Sequence, residues 1–145
     1  MSKKKIEVIE ISSRKDLRRF VDFSFTLYSK NPYWTPPIIN EEIDTLDKTK
    51  NPVFKNAKGH YFLALKGGVI VGRIAVIINW IEVKELKKKK VRFGWFDVVD
   101  DINVTAALME KAVSTGREAA NLCLFLDDVR EVELTVTDSK GPGLI

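Results

Sequence analysis

Asp97 stands in a largely apolar run, residues 91–99, directly after Trp95 and Phe96. A carboxylate among apolar neighbours is a candidate general base, because desolvation raises its pKa, and it would act through a water. The simpler reading is a solvated or capping carboxylate. Tyr33 and Trp34 lie in Asn31-Pro32-Tyr33-Trp34-Thr35-Pro36-Pro37, where three prolines fix the backbone. Aromatic rings in such a loop can stack on a ligand or pack on their own domain. His60 is the one histidine and Cys123 the one cysteine. A lone histidine at a strand start is usually a hydrogen-bonding residue, and Cys123 beside Leu122, Leu124 and Phe125 reads as a buried inert thiol. With one of each, no metal site is expected and no internal disulfide can form. Lys87 to Lys90, with Lys84 and Arg92, form a basic patch that could touch phosphates. No aromatic platform or recognition helix accompanies it, so a solubilising turn is the simpler reading and nucleic acid is not the expected partner.

The elements that must position these residues follow from patterning. Residues 61–65 and 69–78 are strands joined by the turn Lys66-Gly67-Gly68, and 91–99 is a third. Residues 69–78 are almost wholly apolar, so both faces of that strand must be covered. Residues 5–11 form a first strand. Ser13 with Asp16 caps a helix over 13–29, whose apolar stripe is Leu17, Phe20, Val21, Ser24, Leu27 and Tyr28. A short helix carries Ile38, Ile39, Glu42, Ile43 and Leu46, and a loop runs from 48 to 59. Asp100 or Asp101 caps a helix to about Arg117, with Val104, Ala107, Leu108, Ala112 and Val113 facing inward. Residues 131–137 alternate as an edge strand, and 139–143 form a turn.

The 145 residues fit one domain, 1–145, and 45% hydrophobic with 30% charged content is that of a globular chain. No run is long and apolar enough to span a membrane, and no apolar segment follows the basic start, so a cytoplasmic protein is expected. Residues 1–92 carry a net charge of +10 and residues 93–145 carry −6. The two halves can attract each other within one fold.

A meander of antiparallel strands followed by a helix crossover is an α/β or α+β sandwich. The chain resembles the N-acetyltransferase (GNAT) superfamily, and within it a group of uncharacterised bacterial GNAT-like proteins. The resemblance rests on residues 12–20, Leu27-Tyr28, the Pro-rich loop at 31–37, Asn51-Pro52-Val53-Phe54, Ile70-Val71-Gly72-Arg73-Ile74-Ala75, and Phe93-Gly94-Trp95-Phe96 with Asp100-Asp101. It spans about residues 5–118, and 119–145 diverge. It implies a mostly antiparallel central sheet with helices on both faces. It implies that Trp95, Phe96 and Asp97 line an acyl-CoA cleft, with Tyr33 and Trp34 on the acceptor side beside Trp95. Phe96, Val98 and Val99 are the candidate cofactor contacts at the junction after the strand. If the chain is an enzyme, it is an N-acyltransferase using acetyl-CoA or another acyl-CoA.

Two departures shape the functional expectation. The group's members run well past 145 residues, so self-association or a second-half domain is the expected partner. The junction Phe96 to Val104 has no glycine and three carboxylates, where acetyl-CoA binders place a glycine-rich anion loop at a helix N-terminus. The expectation is a GNAT-like binding or assembly module without strong catalysis of its own. The alternatives are an acyl-CoA-dependent N-acyltransferase and a basic nucleic-acid binder.

Overall fold

The computed structural model of the chain describes residues 3–85, 90–125 and 133–134. Its centre is β3 (Val69–Asn79), whose β-branched side chains suit a pleated surface covered on both sides. β2 (Ala57–Lys66) and β4 (Lys90–Val98) flank it antiparallel, and β1 (Ile6–Ile11) pairs outside β2. β5 (Glu133–Leu134) lies parallel to the start of β4, so the strands stand in sequence order. Gly67 and Gly68, at φ +59° and +79°, make the tight turn from β2 to β3.

Alternation along the strands divides the core in two. On one face Phe62, Ala64, Ile74, Val76 and Ile78 pack under Val104, Leu108 and Ala112 of α3 (Ile102–Phe125). On the other, Tyr61, Leu63, Ala75 and Ile77 pack under α1 (Arg14–Leu27) and α2 (Ile39–Leu46) through Leu17, Phe20, Val21, Ile43 and Leu46. The expected placement of the two long helices on opposite faces is the one observed. α3 can approach β3 closely because Gly72 has no side chain: a Cβ there would lie 2.7 Å from Leu108 Cδ1.

Local signals act as their chemistry dictates. Ser13 Oγ accepts the Asp16 N–H at 3.1 Å, capping α1, and donates to the Asp16 carboxylate at 2.8 Å. Arg14 reaches across to Asp44 and Asp47, both at 2.9 Å, and ties α1 to α2. The Tyr61 hydroxyl, buried at the end of α2, donates to the Leu46 carbonyl at 2.7 Å and satisfies one of that helix's orphan acceptors.

Four boundaries differ from expectation. α1 ends at Leu27, two residues early, where the Tyr28 N–H closes on the Ser24 carbonyl. β2 begins at Ala57, because Lys58, Gly59 and His60 continue the ladder opposite Ile78, Ile77 and Val76. The excursion after β3 opens with a π-helical turn, Ile81–Glu85, that buries Val83. α3 runs to Phe125, and the apolar segment after Arg117 belongs to it; Ala119 and Ala120 favour helix and no proline intervenes. Of the expected last strand only Glu133–Leu134 falls within the described residues. The turn at 139–143 and the lysines at 87–89 lie outside them, as does the Cys123 side chain. Among the described residues, no helix is long and apolar enough to cross a membrane.

Leu108 is fully buried beneath α3, whereas Ile102 on the same helix is 77% exposed. Leu108→Ala is expected to cost about 2–5 kcal/mol, and Ile102→Ala no more than about 0.5 kcal/mol, in urea unfolding.

Candidate functional site

Between α1, α2, the Pro-rich loop and β4 lies a cleft of about 500 Å³. Its walls include Tyr28, Trp34, Pro36, Pro37, Trp95 and Phe96, and its charged groups are Glu42, Arg73 and Asp97. β4 opens the sheet here. Arg73 pairs with Asp97 and Ala75 with Gly94, so Trp95 and Phe96 together oppose Ile74. Such a bulge re-aims side chains beside a site. Trp95 adopts φ +47°, a left-handed conformation that a bulky residue rarely holds without compensation. Its indole N–H donates to the Glu42 carboxylate on α2, which fixes the ring.

Arg73 is the one charged side chain of β3 and is 6% exposed. Its Nε and Nη2 donate to Asp97 Oδ2 at 2.9 and 2.8 Å, and its Nη1 donates to the Phe20 carbonyl at 2.8 Å. The guanidinium also lies 5.1 Å from the Phe20 ring centroid. The Tyr28 hydroxyl donates to Asp97 Oδ1. Burial and the adjacent Asp97 push the Tyr28 phenol up to about 12, so it keeps its proton at neutral pH. Trp34 is wedged edge-on against Phe25 at 5.1 Å and tilted against Tyr28 at 5.6 Å.

The sequence-derived candidates separate cleanly. Trp34, Trp95, Phe96 and Asp97 converge on the cleft. Tyr33 does not: it is 93% exposed, and of the loop's two aromatic rings Trp34 lines the cleft. Phe96, Val98 and Val99 all pack against the α3-side core, and of the three Phe96 also lines the cleft. Asp97 faces the Arg73 guanidinium and the Tyr28 phenol beside the apolar Trp95 and Phe96. His60 sits on β2 outside the cleft, its Nδ1 2.6 Å from Glu10 Oε1 and its ring stacked over Phe62. Tyr28, Glu42 and Arg73 were not among the candidates. Arg73 carried a signal, since a charge inside an apolar strand requires a counter-charge. Glu42 carried another, a carboxylate within the inward stripe Ile39, Ile43 and Leu46. Among the described residues no group of three His, Cys, Asp or Glu side chains could hold a metal ion.

No family model matches the chain. Over 100 residues it is 35% identical to Protein YghO of Escherichia coli, a match covering 69% of this chain and 25% of that protein. Over 108 residues it is 32% identical to a bacterial ceramide synthase of Caulobacter vibrioides, covering 74% and 28%. The chain therefore spans about a quarter of the length of the curated relatives it matches. Among solved structures, a tandem GNAT protein from the clavulanic acid biosynthesis pathway, without acetyl-CoA, superposes with a TM-score of 0.61 at 13% identity, covering 80% of this chain and 34% of that one. An aminoglycoside acetyltransferase from an uncultured soil metagenomic sample, in complex with sisomicin, gives 0.56 at 15% identity over 93% and 78%. The fold is GNAT-like. A predicted acetyltransferase of Clostridium acetobutylicum, with acetyl-CoA, gives 0.55 at 10% identity over 94% and 82%.

A GNAT-like fold raises the question of acyl-CoA at the start of α3. There Asp101 Oδ1 accepts the Asn103 N–H at 2.9 Å, and Oδ2 accepts from Lys66 Nζ at 2.8 Å. Lys66 and that N–H hold the Asp101 carboxyl below the usual range, so it is ionised at neutral pH. The helix N-terminus that would receive a diphosphate is thus capped by the chain's own carboxylate, with Asp100 exposed beside it. These residues do not fit a diphosphate at that position.

Two outcomes follow from the Arg73 network. Arg73→Met strands the Asp97 carboxylate and is expected to cost about 3–5 kcal/mol, while Arg73→Met with Asp97→Leu recovers part of that loss in urea unfolding. For Tyr28, the folded pKa lies above the ordinary 10.0, so the neutral phenol stabilises the fold below that pH and the contribution is lost as pH rises toward about 12. Melting temperature is expected to fall more steeply across that window in the native chain than in Tyr28→Phe.

Proposed function

We propose that the chain forms the acceptor side of an N-acyltransferase and turns over little acyl donor by itself. The observation that carries this is the cleft at the β4 bulge, where aromatic and proline walls surround the Arg73, Asp97 and Tyr28 network. The apolar walls exclude water and suit an acceptor with an apolar body, and the network fixes the floor against which it would lie. The 32% identity to a protein named as a ceramide synthase supports amide formation as the reaction class. Two observations support weak turnover alone. The start of α3 is closed by Asp101, and the chain matches only about a quarter of that relative's length.

A chimera tests both halves of the proposal. This chain replaces the 108 matching residues of the Caulobacter protein, and thiol release and amide product are followed with acyl-CoA donors and long-chain amines. The chimera is expected to form amide, and its Asp97→Asn form to lose most of that activity. The chain alone is expected to release thiol no faster than buffer. A folded but inactive chimera overturns the acceptor-side assignment. Turnover by the chain alone in the ordinary enzyme range, roughly 1 per second or more, overturns the claim of weak independent activity.

A further inference from the structure

Glu42 is 7% exposed, yet it has no cationic partner among the described residues. Arg73, the cation that shares the cleft, is committed to Asp97. Glu42 Oε1 accepts a single neutral N–H, from Trp95, while Oε2 makes no hydrogen bond among the described residues and keeps contact with solvent. A mostly buried carboxylate with one oxygen still open attracts a compensating positive charge. The cleft contains two carboxylates and one guanidinium, so its own side chains leave one negative charge uncompensated. The aromatic faces of Trp34 and Trp95 line the same space and add attraction for a cation.

We propose that Glu42 is the specificity-determining anchor of the cleft and binds the ammonium group of an acceptor whose remaining body is apolar. The assignment rests on the acyl-acceptor reading and adds to it the residue that selects charge. Glu42 is delivered by the inward stripe of α2, and the Trp95 indole holds its carboxylate in one orientation. Trp95 makes this contact from a left-handed backbone conformation. An acceptor ammonium would complete the charge balance, and its alkyl portion would lie along Trp34, Pro36 and Pro37.

The test uses octylammonium, octanol and octanoate on the intact chain. Octylammonium is expected to bind about tenfold more tightly than either other probe, the equivalent of one charge-assisted hydrogen bond. In the native chain the Trp95 indole N–H resonance is expected to shift, while that of Trp80, outside the cleft, stays in place. Glu42→Gln is expected to abolish the preference for octylammonium. Equal binding of the three probes, a stationary Trp95 resonance, or a preference that survives Glu42→Gln overturns the proposal. Should Glu42→Gln fail to fold, the native-chain comparisons decide alone. Glu42-dependent ammonium binding in a chain whose chimera transfers no acyl group removes the acyltransferase reading and keeps the anchor. Acyl transfer without charge preference does the reverse.

Discussion

The structure depends on one buried cation, Arg73. Arg73 occurs in the middle of the most apolar strand, where an isolated guanidinium would be too costly to keep. Its solution is threefold: a carboxylate directly across the ladder, a helix carbonyl above it, and an aromatic ring beside it. The partners lie on two elements, Asp97 on β4 and the carbonyl and ring of Phe20 on α1, so satisfying one side chain fixes β4 and α1 relative to β3. Tyr28, the residue that ends α1, then joins the same carboxylate. The helix terminus, the Pro-rich loop that follows and the bulged strand are therefore positioned by one set of hydrogen bonds.

The second constraint is the two-sided sheet. β3 sends Ile74, Val76 and Ile78 to α3 and Ala75 and Ile77 to α1 and α2, and only Arg73 breaks the apolar pattern. The α3 side is closed by tight packing over Gly72. The other side carries the cleft, between the eight-residue α2, the Pro-rich loop and β4. One face thus supplies stability, and the other a cleft with fixed walls.

Much of this was legible in the sequence. The apolar run at β3, the Ser13 cap and the Gly67-Gly68 turn act through local rules, and each did what its chemistry requires. The apolar run at β3 required helices on both faces, and the family resemblance pointed to Trp95, Phe96 and Asp97. What local rules could not supply was register. Asp97 meets Arg73 only because of the way β4 pairs with β3, and Trp95 meets Glu42 only because a bulge rotates the strand. Tyr33 and Trp34 are neighbours of similar chemistry, and only the folded loop distinguishes the exposed ring from the wedged one. The end of α3 was missed because Arg117 carries no stop signal, and the start of β2 because pairing with a long neighbour overrides weak propensity.

The left-handed backbone at position 95 has an evolutionary consequence. Holding a tryptophan there costs of order 1–3 kcal/mol, which glycine would largely relieve. Glycine would also delete the indole that joins β4 to α2. Selection for a more stable chain and selection for a working cleft therefore pull position 95 in opposite directions. A lineage freed from the cleft's task would be expected to drift toward small residues at this position, while the buried faces of β3 remained apolar.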